Sequence, residues 1–141
     1  MFFMDVNLLS NKIIGLAIQV HSALGPGLLE SVYKECLYYK IMKSGYFVEK
    51  EKPIPLTFEK IRLECGYRIN ILVENNLVLE IKSVEAIHPL FIAQLLTYLR
   101  IGHFNLGLLI NFNVLHLKDG IKRVILKHFE TFERHFEPFV L

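Results

Sequence analysis

Only two cysteines, Cys36 and Cys65, occur in the 141 residues, and no CxxC pair exists. A disulfide framework is excluded, and a reduced, cytoplasmic setting is the natural expectation. His88, His103, His116, His128 and His135 show no HxxxH spacing, which argues against a zinc site. No apolar run reaches the roughly 18–20 residues that span a bilayer. The longest candidate, Leu106 to Leu117, contains Asn111, Asn113 and His116 and reads as buried sheet. Met1 to Lys12 lacks the basic region, apolar core and cleavage site of a signal peptide, so no membrane partner is expected. A strong charge of either sign is missing too. The net charge is +2, so any nucleic-acid surface must come from local clustering. Gly25-Pro26-Gly27 is not followed by Lys-Ser/Thr, so it reads as a turn and not as a phosphate loop. No internal repeat and no linker interrupts the chain, which reads as a single domain over residues 1–141.

What is present is core-forming material: 52% of the residues are hydrophobic, enough for one substantial core at this length. Leu8 to Leu24 has helical spacing through Ile13, Ile14, Ala17, Ile18 and Leu24. The Gly-Pro-Gly turn stops it, since proline lacks an amide hydrogen and glycine accepts positive φ. A second helix is predicted from Leu28 to Ser44. On it Leu29, Val32, Cys36 and Tyr39 share one face, and Glu30, Tyr33, Lys34, Leu37 and Ile41 an adjoining stripe. Strands follow at Phe47-Val48 and Ile54 to Phe58, with Pro53 and Pro55 placing the stretch at an edge. Tyr67 to Val73 alternates, with Tyr67, Ile69, Ile71 and Val73 on one side. Leu77 to Ser83 is a strand, Pro89 to Ile101 a helix with Ile92, Leu95, Leu96 and Leu99 inward, and Leu106 to Phe112 and Ile121 to Leu126 are strands. The order gives an α/β domain with a mixed sheet. In the tail Lys127 to Leu141, Phe129, Phe132 and Phe136 recur at helical spacing. Their cover is either the domain's own core or a second copy in a homodimer.

Glu80-Ile81-Lys82 is the pattern that suggests chemistry. Period-two geometry puts Glu80 and Lys82 on one face, about 7 Å apart. A carboxylate beside an amine suits metal-assisted hydrolysis, the carboxylate holding Mg²⁺ and the amine orienting water or offsetting phosphate charge. The neighbouring strand adds to it only in one register. If Val73 pairs with Leu77 across the three-residue turn Glu74-Asn75-Asn76, Asn70 faces Glu80 and Arg68 faces Lys82. That needs Asn75 or Asn76 in left-handed conformation; a two-residue turn would put Asn70 opposite Ile81, on the wrong face.

Five motifs in order resemble the bacterial GxxExxY family, a branch of the PD-(D/E)xK nuclease superfamily. The first is Val20-His21-Ser22-Ala23-Leu24-Gly25-Pro26-Gly27-Leu28-Leu29-Glu30-Ser31-Val32-Tyr33. The next two are Tyr67-Arg68-Ile69-Asn70 and Leu79-Glu80-Ile81-Lys82. The last two are Ala93-Gln94-Leu95-Leu96-Thr97-Tyr98-Leu99 and Gly107-Leu108-Leu109-Ile110-Asn111-Phe112. The match covers about residues 10 to 125. The resemblance implies a restriction-endonuclease-like core, a mixed central sheet flanked by helices. It also implies a metal-dependent phosphodiester hydrolase using Mg²⁺ or Mn²⁺ on DNA or RNA. Glu30 would be the helix-borne acidic residue, position 70 the metal-binding aspartate and Glu80 the second metal carboxylate. The carbonyl of Ile81 would be a further ligand, and Lys82 the catalytic lysine. Gln94 and Tyr98, one turn apart, would line the cleft from the other side. His21 and Arg68 would add contacts to phosphate.

The chain departs from the family pattern at one place. Where Arg-x-Asp is expected it has Arg68-Ile69-Asn70. An asparagine oxygen can touch a hard cation but brings no negative charge, so weak Mg²⁺ binding and slow or absent cleavage are expected. The alternative function is a catalytically inactive nuclease-fold module for nucleic-acid or protein binding. Bland readings stand beside the residue roles. Glu30 with Lys34 is an ordinary i, i+4 pair, Gln94 can cap a buried polar network, and Tyr33 and Tyr98 can be packing residues with a tethered hydroxyl. Asn111 should be satisfied by backbone.

Overall fold

The computed structural model describes residues 5–126; the phenylalanine-rich tail, with Phe129, Phe132 and Phe136, lies outside them. Helix α1 (Val6–Leu24) starts where the Asp5 side chain accepts from Asn7 N, a side-chain N-cap. It ends at Gly25, φ 72°. Helix α2 (Glu30–Lys43) buries Tyr33, Leu37 and Ile41. Of the two stripes, it is therefore the one carrying Glu30 that faces the protein. Ile18 and Leu24 of α1 are exposed, and Leu9, Val20 and His21 take their place inward. Among the described residues no helix is long and apolar enough to cross a membrane.

Among the described residues the main sheet has five strands in the order β1-β4-β5-β6-β7. These are β1 (Val48–Pro53), β4 (Arg68–Val73), β5 (Leu77–Lys82), β6 (Leu106–Asn111) and β7 (Ile121–Ile125). Among these described strands only β5 and β6 run parallel, and the crossover between them is helix α3 (Pro89–Gly102). A parallel neighbour needs such a connection, whereas the other pairs are antiparallel and need none. A separate hairpin, β2 (Leu56–Phe58) and β3 (Ile61–Leu63), stands off the sheet. The single extended reading of Ile54 to Phe58 thus divides. Pro53 ends β1, Ile54 N donates to Tyr67 O, and the following residues pair with β3, which is short and wholly exposed.

Two apolar layers sandwich the sheet. Leu9, Ile13, Ala17, Tyr33, Leu37 and Ile41 pack on one face; Ile92, Leu95, Leu96 and Leu99 of α3 pack on the other. The α3 layer comes so close that a Cβ at Gly107 would lie 2.9 Å from Leu95 Cδ1.

The β4–β5 hairpin has the register the site required: Val73 pairs with Leu77 and Ile71 with Leu79. Glu74 (φ 52°) and Asn75 (φ 50°) both take left-handed geometry in the turn, which matches the expectation for Asn75. The alternation in β4 is not complete, however. Ile69 falls in the α3-side layer with Ile54 and Leu72, away from Ile71 and Val73. The cause lies at Asn70. Pairing of β1 with β4 skips from Lys50–Ile71 to Lys52–Ile69, and Glu51, in the gap, sits at φ 53°. Pairing of β4 with β5 also stops at Ile71–Leu79. Both ladders give way around one residue.

Candidate active site

In the gap between the ladders the Asn70 amide replaces a backbone partner. Its Oδ1 accepts from Ile81 N at 2.8 Å. Because Ile81 N–H is a donor, the end of the amide that meets it is fixed as the oxygen, and the other end is an NH₂ donor. Val78 belongs to the α3-side layer, so period-two geometry turns Glu80 and Lys82 to that side too.

Glu80 is 5% exposed, and its Oε1 is buried with no hydrogen-bond partner among the described residues. Burial pushes its pKa up to about 7; the Lys82 charge and a backbone hydrogen bond from Asn70 resist, while Glu30 and Glu51 add to the rise. A buried carboxylate with an unpartnered oxygen is costly to keep charged. Lys82 Nζ lies 4.6 Å from the Phe91 ring centroid, a cation–π contact that holds the ammonium against α3.

Glu30 comes from the opposite helical layer. The turn that delivers it is pinned three ways. The Tyr33 hydroxyl donates to Gly25 O at 2.5 Å and accepts from Leu28 N at 3.1 Å. Ser83 Oγ donates to Leu28 O at 2.6 Å, tying the turn to the end of β5. The Tyr33 ring stacks on Phe112 with centroids 4.5 Å apart, so the tethered-hydroxyl reading of Tyr33 holds. Lys34 does not pair with Glu30; its Nζ meets Glu51 Oε1 at 2.5 Å. Glu30 is exposed, and its charge reaches Glu80.

On α3, Gln94 is exposed and Tyr98 is buried. Burial and then the Glu80 charge raise the Tyr98 pKa. Arg68 is exposed at the start of β4, with Nη1 3.5 Å from Glu51 O. His21 is elsewhere: it is buried, with Nε2 2.7 Å from Val114 O. It lines a cavity of about 430 Å³ with Ile18, Ser22, Pro26, His116 and Lys118. Asn111 bonds Val84 through both ends of its amide at 3.0 Å, the backbone satisfaction expected of it.

A family model described as the PD-(D/E)XK nuclease superfamily matches residues 7–124. The chain belongs to the PD-(D/E)XK nuclease superfamily. No curated protein and no solved structure matches it. The five-stranded mixed sheet between helical layers is consistent with the superfamily's restriction-endonuclease-like core.

PD-(D/E)XK nucleases generally use divalent metals. Among the described residues no group of three or more His, Cys, Asp or Glu side chains is placed to hold one. Mg²⁺, however, keeps several waters and binds through one or two carboxylates plus substrate phosphate. The orphaned Glu80 Oε1 suits one such contact, and Glu30 supplies a second charge nearby. Asn70 fits poorly as a third: its oxygen already serves Ile81 N–H, and its other end is a donor. The donor set fits a hydrated cation with one charge fewer than an aspartate at position 70 would give.

Sequence reasoning missed Glu51. Its carboxylate is within electrostatic reach of Glu80, and its backbone opens the gap beside Asn70. The alternating Glu-Lys-Glu-Lys of β1 reads as an ordinary exposed edge, and nothing in it signals a left-handed residue. Ser83 and Phe91 were also missed, because each acts through tertiary contacts.

Proposed function

We propose that this chain is a divalent-metal-dependent phosphodiesterase domain of the GxxExxY branch, acting on nucleic acid and attenuated by Asn70. The reading takes the whole chain as one domain and the cytoplasm as its setting. The observation that carries it is the buried, unpartnered carboxylate oxygen of Glu80, on the same face as Lys82 and adjacent to Asn70. Mg²⁺ or Mn²⁺ held by Glu80 and Glu30, with the Ile81 carbonyl and Asn70 as neutral ligands, would polarise a phosphate and lower the pKa of bound water. Lys82 would orient that water or offset charge on the phosphate, leaving Phe91 to do so. Gln94 and Tyr98 would position substrate from α3, and Arg68 would contact phosphate at the cleft edge. His21, tied to Val114, supports that role less well than Arg68.

A second reading, a nuclease-fold module that binds without cutting, is favoured by the use of the Asn70 oxygen for Ile81 N–H. Cleavage of mixed DNA and RNA with Mg²⁺ and Mn²⁺ separates the two. The primary reading expects Asn70→Asp to cut faster than the parent chain and Lys82→Ala in that background to abolish cutting. Cutting by the parent equal to Asn70→Asp would remove position 70 from the metal site. No cutting by any form, with nucleic acid still bound, would establish the second reading.

A further inference from the structure

We infer that the surface beside Glu80 and Lys82 is built for single-stranded nucleic acid, with an unpaired base held on the exposed Tyr67 ring; this rests on the nucleic-acid reading above. Two aromatic pairs bracket the site. At one end Tyr67 and Tyr98 have ring centroids 6.1 Å apart, tilted by 52°, and Tyr98 is the phenol that senses the Glu80 charge. At the other end Phe91 lies under the Lys82 ammonium, and His88 packs edge-on against Phe91 with centroids 6.1 Å apart. Phe91, Gln94 and Tyr98 sit at i, i+3 and i+7 of α3, so they form one stripe. Along it Tyr98 is buried and Phe91 carries the Lys82 ammonium, so these two rings back the site and Tyr67, against Tyr98, is the ring left open.

Exposure supports the same use. Tyr67 is 43% exposed although it belongs to a ring pair, so part of its side chain is open to a ligand. It stands next to Arg68, also exposed, which places a guanidinium for the backbone beside a platform for the base. The cleft's charge balance argues against duplex tracking. Duplex binders neutralise many phosphates with a basic stripe. Here Glu30, Glu51 and Glu80 offset Lys34, Arg68 and Lys82, and the chain as a whole is only +2. Single strands recover by stacking what such a surface lacks in charge.

The test is fluorescence anisotropy of the intact chain in Ca²⁺ with labelled 12-nucleotide probes. These are oligothymidylate, its uridylate counterpart, an abasic strand of equal charge, and a duplex. The expected result is binding of the base-bearing single strands at least about tenfold tighter than the abasic strand and tighter than the duplex. Tyr67→Ala should weaken oligothymidylate binding about fivefold or more and leave abasic binding unchanged, while Tyr67→Phe restores it. Equal binding of abasic and base-bearing strands, or preference for duplex, would overturn the stacking inference and leave the nucleic-acid reading standing. No binding of any probe at low salt would overturn both.

Discussion

Replacing Glu80 by Gln should stabilise the metal-free protein at alkaline pH, which is unusual for a change at a proposed catalytic carboxylate. Burial raises the Glu80 pKa from its ordinary 4.5 to about 7. The folded state therefore holds a proton that the unfolded chain releases across that interval. Stability from this group is fully present below pH 4.5, falls as pH rises through the interval, and is lost above the folded pKa. At about 1.4 kcal/mol per pH unit the penalty reaches roughly 3 kcal/mol at pH 8. Glutamine keeps the shape and never charges, so it escapes the penalty. For a chain of this length the difference corresponds to a melting shift on the order of 10 °C. The assay is thermal and urea unfolding of both forms in chelator at several pH values from 4 to 8.5. The two curves should meet at the acid end and diverge steadily above pH 5. Parallel curves, or a glutamine form less stable at pH 8, would refute the assignment of Glu80 as a buried, uncompensated carboxylate. Adding Mn²⁺ at pH 8 should close the gap, because a cation supplies the charge partner only to the glutamate form.

Asn70→Asp should bind Mg²⁺ at least about tenfold more tightly by titration calorimetry, since one carboxylate oxygen can keep Ile81 N–H while the other faces the cation; unchanged affinity would exclude position 70 from the site. Tyr33→Phe removes the hydroxyl that bridges Gly25 O and Leu28 N and should cost about 1–2 kcal/mol in urea unfolding. In the Asn70→Asp background it should also slow cleavage with little change in substrate affinity, because the turn carries Glu30. Gly120→Ala would put a Cβ 2.1 Å from Asn111 O, a main-chain clash that no rotamer relieves. It should destabilise the protein by about 3 kcal/mol or more, read as a lowered urea midpoint.

Most of the architecture is readable from periodicity. Long amphipathic segments and an unbroken apolar strand such as Leu106–Asn111 leave few alternatives, and the hairpin register follows from requiring Asn70 and Glu80 on one face. The readings that changed are those decided by tertiary contacts. Ile69 switches layers because Asn70 substitutes its side chain for a ladder bond. The exposed strand Ile61–Leu63 has no buried face and so no pattern to detect. Glu80 and Lys82 share the α3-side face of β5, as period-two spacing implies, and Lys82 meets Phe91 of α3 there. His21 shows the limit of motif reading: the resemblance gives it a phosphate contact, and nothing in the motif signals that its ring meets the Val114 carbonyl.

The left-handed residue in β1 bears on more than the cleft. That strand is one border of the sheet, and an open border is a template on which a second polypeptide can add. Glu51 at φ 53° interrupts the straight run of backbone donors and acceptors there. Lys50 and Lys52 place charge along it, and Pro53 removes a donor at its end. These are the features by which natural sheets resist edge-to-edge aggregation. The kink that separates the strands beside Asn70 thus also guards the protein's colloidal behaviour, and a variant straightened at position 51 would expose a stickier rim.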